Sequence, residues 1–273
     1  MKKIFFVKMS GSGNDFVLID NRRGTFPKPV SAWARRLCHR QEGVGADGLL
    51  LLEKSRKADF RMVYFNADGS RASMCGNGAR CMAWFARERG VAGSASRFET
   101  DAGLVDAVVH GSAAEITLGE ARDYRPHLLL RVPGGTYPVS FVNTGVPHAV
   151  CFVPRVDAVN LPVIGRRLRF HKAFGPAGSN VNFVQRLNSR TLKIRTYERG
   201  VEGETLACGT GVTACAIAAA LKGWVRSPVR CVTAGGDTLE VRFQLNPADA
   251  QTPARRVSLR GPVRVTFRGQ TEL

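Results

Sequence analysis

Short apolar runs, broken by glycine, proline and Asp-Gly turns, recur along most of the chain. Many of them alternate apolar and polar residues in part, which is typical of strands with one buried face. The strands predicted in the first half are 3–8, 16–20, 48–53, 59–65, 97–101, 104–109 and 113–118. Those predicted in the second half are 137–142, 149–153, 180–185, 191–197, 229–233, 237–244 and 256–267.

Helical patterns are fewer than strand patterns. Residues 30–40 are amphipathic, whereas 76–89 and 209–222 are longer and strongly apolar. A helix that is apolar nearly all round lies inside a protein. Each half of the chain is therefore predicted to be a sheet wrapped around one central helix.

The two halves also repeat each other. FNADGSRASMCGNGARCMAWFA around Cys75 matches YERGVEGETLACGTGVTACAIAAA around Cys208, 133 residues further on. VKMSGSGNDFVLI and VNTGVPHAVCFV give a second match, in which Val17 and Val150 have the same separation. Two matches at one offset, close to half of the 273 residues, indicate duplicated domains that face each other.

Cys75 and Cys208 each stand where a turn enters a central helix. The glycines after them allow a ligand to approach the backbone closely, and a helix start binds anions and lowers the pKa of a thiol placed there. A carboxylate held between two such starts would have a thiol on each side. That arrangement suits inversion of an amino-acid α-carbon, in which one thiolate removes the proton and the other thiol returns one to the opposite face.

Charge adds a competing interpretation. Lys plus Arg is 40 and Asp plus Glu is 22, a net charge of +18 that is typical of nucleic-acid binding. The 31 arginines and nine lysines are scattered singly or in pairs, with no zinc-finger spacing or RNP-like string. We therefore expect a solvated surface that attracts acidic ligands, and no nucleic-acid partner.

The expected compartment follows from hydropathy and cysteine usage. No apolar run approaches the roughly 18 residues of a membrane span, and the apolar start is shorter than a signal-peptide core of about 7–15 residues. The seven cysteines include no CxxC pair, which favours reduced cytoplasmic thiols and disfavours a metal site. Five of them are expected to be inert thiols, most in the core: Cys38, Cys81, Cys151, Cys215 and Cys231.

The chain resembles the diaminopimelate epimerase family over essentially its whole length. The motifs that carry the resemblance are KMSGSGNDF at 8–16, GVGADG at 43–48, FNADGS at 65–70, MCGNGARC at 74–81, NTGVPH at 143–148, GSNVNFV at 178–184, YERG at 197–200, ETLACGTG at 204–211 and AGGDTLEV at 234–241. The resemblance implies an α+β fold of two pseudo-symmetric domains. Each is a mostly antiparallel curved sheet around a central helix, with the active site in the cleft between the domains. The domains would be 1–122, with 264–273 returning to it, and 123–263.

The implied activity is conversion of LL-2,6-diaminopimelate into meso-diaminopimelate, in lysine and peptidoglycan-precursor biosynthesis. It would use a cofactor-independent thiolate/thiol mechanism with no metal, in a cytoplasmic homodimer that binds no nucleic acid and no membrane. The resemblance makes Cys75 and Cys208 the acid/base pair, and His148 and Glu198 the residues that tune their pKa. The implied substrate-binding residues are Asn14, Asn66, Gly76, Asn77, Asn182, Glu198, Arg199, Gly209 and Thr210.

The chain departs from the family pattern near the far end of the substrate. Many members have Asn-Pro-His where Val146 precedes Pro147 and His148 here, and some have a Gln where Gly48 stands. The ERGVEGET segment is one residue longer than the ERGAGET form of the family. A racemase of another amino acid, such as histidine, is therefore an alternative. Arg199 favours diaminopimelate, because a neutral ring would not need it.

Overall fold

The computed structural model describes residues 3–272, which contain 18 β-strands and four α-helices. The chain forms two compact units. The first comprises the residues up to Ile116 together with those from Gly261 onward, and the second is Thr117–Arg260. The sequence-based boundaries, after residues 122 and 263, lie a few residues later in each case.

The first unit contains nine strands and two helices among its described residues. Its elements are β1 (Lys3–Gly11), β2 (Asn14–Asp20), α1 (Val30–Cys38), β3 (Gly48–Glu53), β4 (Phe60–Asn66), β5 (Arg71–Ala72), α2 (Gly76–Glu88), β6 (Ala95–Thr100), β7 (Gly103–His110), β8 (Ala113–Thr117) and β18 (Arg264–Glu272). The strands pair in the order β18–β1–β2–β3–β4–β6–β7–β8, with the short β5 on β4. Only the β2–β3 and β4–β6 pairs are parallel.

The second unit repeats this plan. Its elements are β9 (Arg122–Val132), β10 (Gly135–Asn143), β11 (Pro147–Phe152), α3 (Leu161–Arg169), β12 (Asn180–Asn188), β13 (Thr191–Glu198), β14 (Gly203–Thr205), α4 (Gly209–Leu221), β15 (Val229–Val232), β16 (Thr238–Leu245) and β17 (Ala254–Pro262). The order is β9–β10–β11–β12–β13–β15–β16–β17, with β14 on β13. The parallel pairs, β11–β12 and β13–β15, fall at the same places as in the first unit. The predicted α+β class with two pseudo-symmetric, mostly antiparallel halves is confirmed.

A buried helix occupies the centre of each unit. Nine of the 13 residues of α2 are buried, and ten of the 13 in α4. Helix α2 packs on β1, β2, β3, β4 and β7, and α4 packs on β10, β11, β12, β13, β15 and β16. Each side chain the size of Leu or Phe that is buried in this way contributes about 1.5–3 kcal/mol to folding. The central helices therefore hold their N-terminal residues, Cys75 and Cys208 among them, in fixed positions within their own units.

The outer helices were only partly predicted. Helix α1 lies close to the predicted 30–40 and covers the opposite face of the first sheet with Ala34, Leu37 and Cys38. Helix α3 does the same in the second unit through Leu161 and Leu168, but the sequence analysis left it out. Its short LPVIGRRLR segment contains both Pro and Gly, which obscures a helical pattern.

The single strand predicted at 256–267 is wrong, because the structure has two strands there, β17 and β18. Pro262 ends the first of them. Proline has no N–H to donate to a ladder. The next residue, Val263, donates its N–H to the Ser112 carbonyl (2.8 Å) and so leads the chain into β18. Strands β5, β9 and β14 were also missing from the prediction.

Two kinds of feature are absent from residues 3–272. None of the helices there is long and apolar enough to cross a membrane. No group of three or more His, Cys, Asp or Glu side chains there is arranged to hold a metal ion.

Candidate active site in two half-sites

Cys75 caps the N-terminus of α2 in the first unit. Its backbone is extended (φ −141°, ψ 123°), its side chain is half-buried, and its carbonyl accepts the first helical bond from the Ala79 N–H (2.8 Å). The N–H groups of Gly76 and Asn77 precede that bond, and helix geometry gives such groups no partner within the helix. The first half-site therefore combines a reachable thiol with backbone donors at the positive end of a helix dipole.

The β1–β2 turn packs directly on this helix start. A Cβ on Gly11 would lie 2.7 Å from the Asn77 carbonyl oxygen and 2.9 Å from the Cys81 Sγ. These distances are too short for any side chain, so the close approach requires glycine. The GSGN motif thus serves to bring the turn against α2.

A directional chain of hydrogen bonds joins the turn to the helix. Arg80 Nη2 donates to Asn77 Oδ1 (3.0 Å), and Asn77 Nδ2 donates to Asn14 Oδ1 (2.7 Å). Asn14 Nδ2 then donates to Asp47 Oδ2 (2.9 Å). Arg80 is fully buried and Asn77 is 3% exposed, so the Asn77 side chain is turned into the protein. Asn77 is left with its backbone N–H as the group it can offer to a ligand, as the resemblance implies.

A charged network supports the Asp47 end of this chain. Asp15 lies 2.7 Å from the Lys8 ammonium and 3.0 Å from the Arg40 guanidinium, which also lies 2.7 Å from Asp47. Burial of Asp15 raises its pKa, but hydrogen bonds and charge from Arg40 and Lys8 outweigh burial and lower that pKa to about 2. The two carboxylates also accept each other's backbone N–H at 3.1 and 3.0 Å. Asp47 and Arg80 were not predicted as site residues, although they lie inside the motifs GVGADG and MCGNGARC.

Two motif positions of the first unit lie at one end of β3 and β4. Asn66 is half-buried at the end of β4, and its Nδ2 donates to Ser70 Oγ (3.0 Å). Gly48 pairs with it in the ladder, and a Cβ there would lie 2.7 Å from the Phe65 carbonyl oxygen. Position 48 therefore has no room for a side chain.

Cys208 caps α4 in the second unit as Cys75 caps α2. Its side chain is 7% exposed, and its carbonyl accepts from the Val212 N–H at 2.8 Å. Thr210 Oγ1 lies 3.4 Å from the Cys208 Sγ, and the Thr210 carbonyl accepts from Thr144 Oγ1 (2.9 Å). The first-turn amides of Gly209 and Thr210 are therefore held in place by the β10–β11 turn.

Glu198 lies beside the Cys208 thiol. Burial raises the pKa of Glu198, against opposing hydrogen bonds from Thr205 (2.8 Å) and from the thiol itself. A carboxylate that accepts from a thiol is placed to influence its proton. These contacts support the implied pKa-tuning role of Glu198.

His148 and Asn182 form the buried floor of this half-site. Both side chains are fully buried. Burial, with the nearby charge of Arg199, lowers the pKa of His148 to about 3. A Cβ on Gly211 would lie 3.3 Å from both His148 Cε1 and Cys208 Cβ. The imidazole and the Cys208 side chain are therefore both close to Gly211. The ring of His148 next to Cys208 is therefore neutral at pH 7.

The side chain of Asn182 is fully used within the protein. Its Oδ1 accepts from Thr196 Oγ1 (2.9 Å), and its Nδ2 donates to the Ala149 carbonyl (3.1 Å) and faces His148 Nδ1 (3.2 Å). Its implied role in binding substrate stays a prediction. Its observed contacts are with His148 and the sheet.

Asn180, which the sequence analysis missed, contacts the segment that carries Arg199. Its Oδ1 accepts the Arg199 N–H (2.7 Å), and its Nδ2 donates to the Pro147 carbonyl (3.3 Å). Arg199 and Pro147 also line a cavity of about 200 Å³, together with Arg125, Phe141 and Phe174. Asn180 and Asn182 share one face of β12 because side chains alternate along a strand, so the NVN pattern alone could not separate their roles.

The longer ERGVEGET loop is tied to α3. Glu202 Oε1 accepts from Arg169 Nε (3.1 Å) and Nη2 (2.9 Å), and also from the Gly200 N–H (3.0 Å). Arg169 is buried and also donates to the Ala177 carbonyl (2.8 Å). Glu202 therefore braces the loop that carries Arg199.

Solved structures identify the fold. A phenazine biosynthesis protein of the PhzF family from Bacillus anthracis has a TM-score of 0.76 at 15% identity, covering 100% of both chains. A probable proline racemase from Agrobacterium radiobacter K84 has a TM-score of 0.73 at 17% identity, covering 99% of this chain and 93% of the other. The chain thus shares its fold with these proteins.

Sequence comparison then identifies the family. The family model for diaminopimelate epimerase matches residues 6–123 and 140–249. A diaminopimelate epimerase from Aquifex aeolicus (strain VF5) is 44% identical, over 97% of this chain and 96% of that protein. Another, from Hydrogenobaculum sp. (strain Y04AAS1), is 41% identical, over 97% of this chain and 98% of that protein. The chain belongs to the diaminopimelate epimerase family.

Proposed function

We propose that this protein is a cofactor-independent isomerase that converts LL-2,6-diaminopimelate into meso-diaminopimelate, in lysine and peptidoglycan-precursor biosynthesis. The observation that carries the proposal is the matched pair of cysteine N-caps, Cys75 on α2 and Cys208 on α4, in a member of this family. One cysteine could be structural. Two at equivalent positions of duplicated units supply the two groups that inversion of a carbon centre needs.

In the proposed reaction one cysteine, as thiolate, removes the α-proton and becomes a thiol. The electron pair stays on the carbanion, which the adjacent carboxylate helps to delocalise. The other cysteine, as thiol, gives its proton to the opposite face and becomes a thiolate. Atoms and charges balance without an added reagent, and the next turnover can run in the reverse sense or follow proton exchange with water.

The carbanion formed in this step must be stabilised, and the N-termini of α2 and α4 are the groups available for it. If the α-C–H is a weaker acid than a thiol by roughly a dozen pK units, proton transfer is uphill by about 16 kcal/mol. Fixed backbone N–H groups and helix dipoles stabilise the charge that develops next to the carboxylate. We assign this role to the backbone amides of Gly76 and Asn77 in one unit, and of Gly209 and Thr210 in the other.

Arg199 and the groups around it support a substrate with a second charged head. Its backbone is held by Asn180, and Arg199 lines the 200 Å³ cavity, whose other arginine, Arg125, is already paired with Asp123 (2.7 Å). We assign the distal amino-carboxylate end of diaminopimelate to Glu198 and Arg199, with Asn14 and Asn66 as further substrate contacts. A racemase of a different amino acid, such as histidine, would leave this guanidinium without a charged partner.

The test is isotope exchange without any added cofactor. The purified protein in heavy water should incorporate deuterium at the α-carbon of LL-diaminopimelate while meso product appears, as followed by mass spectrometry and NMR. Incorporation into histidine but not into diaminopimelate would favour the alternative racemase. Absence of exchange into either would contradict the two-cysteine reaction.

We also propose that the enzyme is a cytoplasmic homodimer with no nucleic-acid partner. All seven cysteines are free thiols in the structure, which fits a reducing compartment. Phe5, on the edge-paired strand β1, exposes 67% of its surface, and burial of such a side chain favours self-association. Sedimentation velocity should give twice the 29.7 kDa chain mass, and a monomer at micromolar concentration would contradict the dimer.

A further inference from the structure

The hydrogen bonds around Asn182 determine which way its amide faces. Asn182 lies opposite Thr196 in the antiparallel β12–β13 ladder and opposite Val150 in the parallel β11–β12 ladder. The Ala149 carbonyl, 3.1 Å away, can only accept a hydrogen bond. The amide atom on that side must therefore be Nδ2, which leaves Oδ1 to accept from Thr196 Oγ1 at 2.9 Å.

This orientation in turn determines the tautomer of His148. Asn182 Nδ2 faces His148 Nδ1 at 3.2 Å, and an amide nitrogen can only donate. Nδ1 must therefore carry a lone pair, and the single proton of the neutral ring lies on Nε2. Among residues 3–272, the structure gives His148 Nε2 no hydrogen-bond partner, although the side chain is fully buried. A buried N–H without a partner is costly unless a ligand or a reacting group meets it.

We propose that Asn182 and Thr196 are positioning residues that hold His148 in the Nε2–H tautomer, so that His148 presents an N–H donor to the anion formed in the Cys208 half-site. In this role the ring stabilises negative charge and takes no proton from either cysteine. The identity of that anion depends on the proposed function. The tautomer of His148 does not depend on it.

The neighbouring charges agree with a neutral donor. His148 lies near the Arg199 guanidinium, and the lowered pKa that results from burial and from this charge keeps the ring neutral at pH 7. A neutral ring with a lone pair on Nε2 would be a base. A neutral ring with a proton there is a donor, and the Asn182 amide selects between the two.

The first experiment reads the tautomer directly in the substrate-free protein. Long-range ¹H–¹⁵N correlation spectra of histidine-labelled protein at pH 7 distinguish the protonated ring nitrogen from the unprotonated one. His148 should carry its proton on Nε2. A proton on Nδ1 in the wild-type protein would overturn the proposal, whatever reaction the enzyme catalyses.

The second experiment changes the positioning groups. Asn182→Asp places an acceptor opposite Nδ1, so the proton should move to Nδ1 and kcat should fall by about 10²-fold, the usual loss for one transition-state donor. Asn188→Asp, at the exposed end of the same strand, adds the same charge and should change neither spectrum nor kcat. An unchanged tautomer and kcat in Asn182→Asp would overturn the proposal.

Thr196 provides a pair of milder variants in case Asn182→Asp does not fold. Thr196→Val keeps the shape but removes the hydroxyl donor, and should lower kcat by up to about tenfold with a mixed tautomer. Thr196→Ser restores the hydroxyl and should recover most of that loss. Equal activity and equal spectra for the Val and Ser variants would remove Thr196 from the role.

If the tautomer follows these expectations but no deuterium enters diaminopimelate, the proposed function fails and the positioning role stands. If deuterium enters diaminopimelate but His148 is protonated on Nδ1, the positioning role fails and the proposed function stands. The two proposals are therefore separately testable.

Discussion

Asp15 and His148 occupy equivalent positions in the two units, 133 residues apart and each the second residue of its strand. Asp15 is a carboxylate paired with Lys8 and Arg40, whereas His148 is a neutral ring in contact with an amide. The duplicated halves have therefore diverged at one site into a charged support and an uncharged one. The first prediction follows from this difference.

Protein stability should fall as the pH drops from 7 to 5, because of His148. Its pKa is about 3 in the folded state and near 6.5 when unfolded, so only the unfolded chain takes up this proton in that range. The proton uptake favours unfolding and should cost about 2 kcal/mol by pH 5. Denaturant melts at a series of pH values measure this slope. The pairing of Asp15 affects a separate window, near and below pH 4.

The matched variants are His148→Asn and His127→Asn. The first removes the buried ring and should flatten the slope between pH 7 and 5. The second removes an exposed histidine and should leave the slope intact. Equal slopes in the wild type and His148→Asn would show that another group is responsible.

Cys75→Ala and Cys208→Ala should each abolish epimerisation, because inversion needs a base on one face and an acid on the other. Serine at either position should also be nearly inactive, since a hydroxyl is a far weaker acid than a thiol. Coupled assays of meso-diaminopimelate formation measure the loss. Cys231→Ala, a buried thiol on β15, is the control and should retain activity in the folded fraction. A single variant at Cys75 or Cys208 that keeps a tenth of wild-type turnover would remove that cysteine from the mechanism.

Arg199→Ala should lower kcat/KM for diaminopimelate by roughly tenfold to a hundredfold. A charge-assisted hydrogen bond to a carboxylate contributes about 1.5–3 kcal/mol, and the backbone contact to Asn180 survives the substitution. Steady-state kinetics with thermal melts separate binding from folding. An unchanged kcat/KM for diaminopimelate would favour a substrate without a second charged head.

A substitution that loosens the loop carrying Arg199, without changing Arg199 itself, provides a milder test. Arg169→Ala removes the brace to Glu202 and should raise KM more than it lowers kcat. Arg166→Ala, exposed on the same helix, should leave KM unchanged. A fall in kcat with constant KM for Arg169→Ala would contradict the bracing role.

Asn77→Ala should destabilise the first unit by about 1–3 kcal/mol. It breaks the links from Arg80 and to Asn14 and leaves buried polar groups unpaired, but it keeps the backbone N–H. We therefore expect a lower Tm together with a smaller change in KM. Asn188→Ala, at the exposed end of β12, should change neither quantity. A large rise in KM at wild-type Tm would show that the Asn77 side chain itself contacts substrate.

Alkylation by iodoacetamide at pH 8 should modify Cys75 at least tenfold faster than the five inert thiols. Cys75 is half-buried, while burial raises the pKa of Cys38, Cys81 and Cys151 to about 12 and also raises that of Cys215 and Cys231. Thiolate is the reactive form, so those thiols are both inaccessible and protonated. Peptide mapping against time measures the order, and the substrate should slow the reaction at Cys75. Faster labelling of Cys38 would contradict this assignment.

Most of the fold could be predicted because apolar periodicity and the 133-residue repeat are both visible in the sequence itself. Central helices α2 and α4 and both cysteine caps were predicted, because a mainly apolar segment follows each Cys-Gly-x-Gly motif. Helix α3 and strand β9 were not, because Pro, Gly and several charged residues interrupt their patterns. For such segments tertiary packing decides the structure.

The supporting residues of the site were harder to predict than the cysteines. Arg80 reads as a helix-surface residue in the sequence, yet it is fully buried and donates to Ser12 and Asn77. Asn180 and Asn182 differ only in their hydrogen-bond partners. Those partners come from other strands, so only the folded sheet distinguishes an asparagine that positions Arg199 from one that faces His148.

Strand β18 has a consequence for how the chain is made. During synthesis β1 emerges before the other strands described here, but its partner along one edge, Arg264–Glu272, emerges after all of them. Until then that edge of β1 is an open row of N–H and C=O groups, the kind of edge that pairs with other chains. The second unit draws all its strands from one continuous stretch and can close earlier. The second unit should thus complete its fold before the first unit does. The segment of the nascent chain that most needs protection from aggregation is therefore β1.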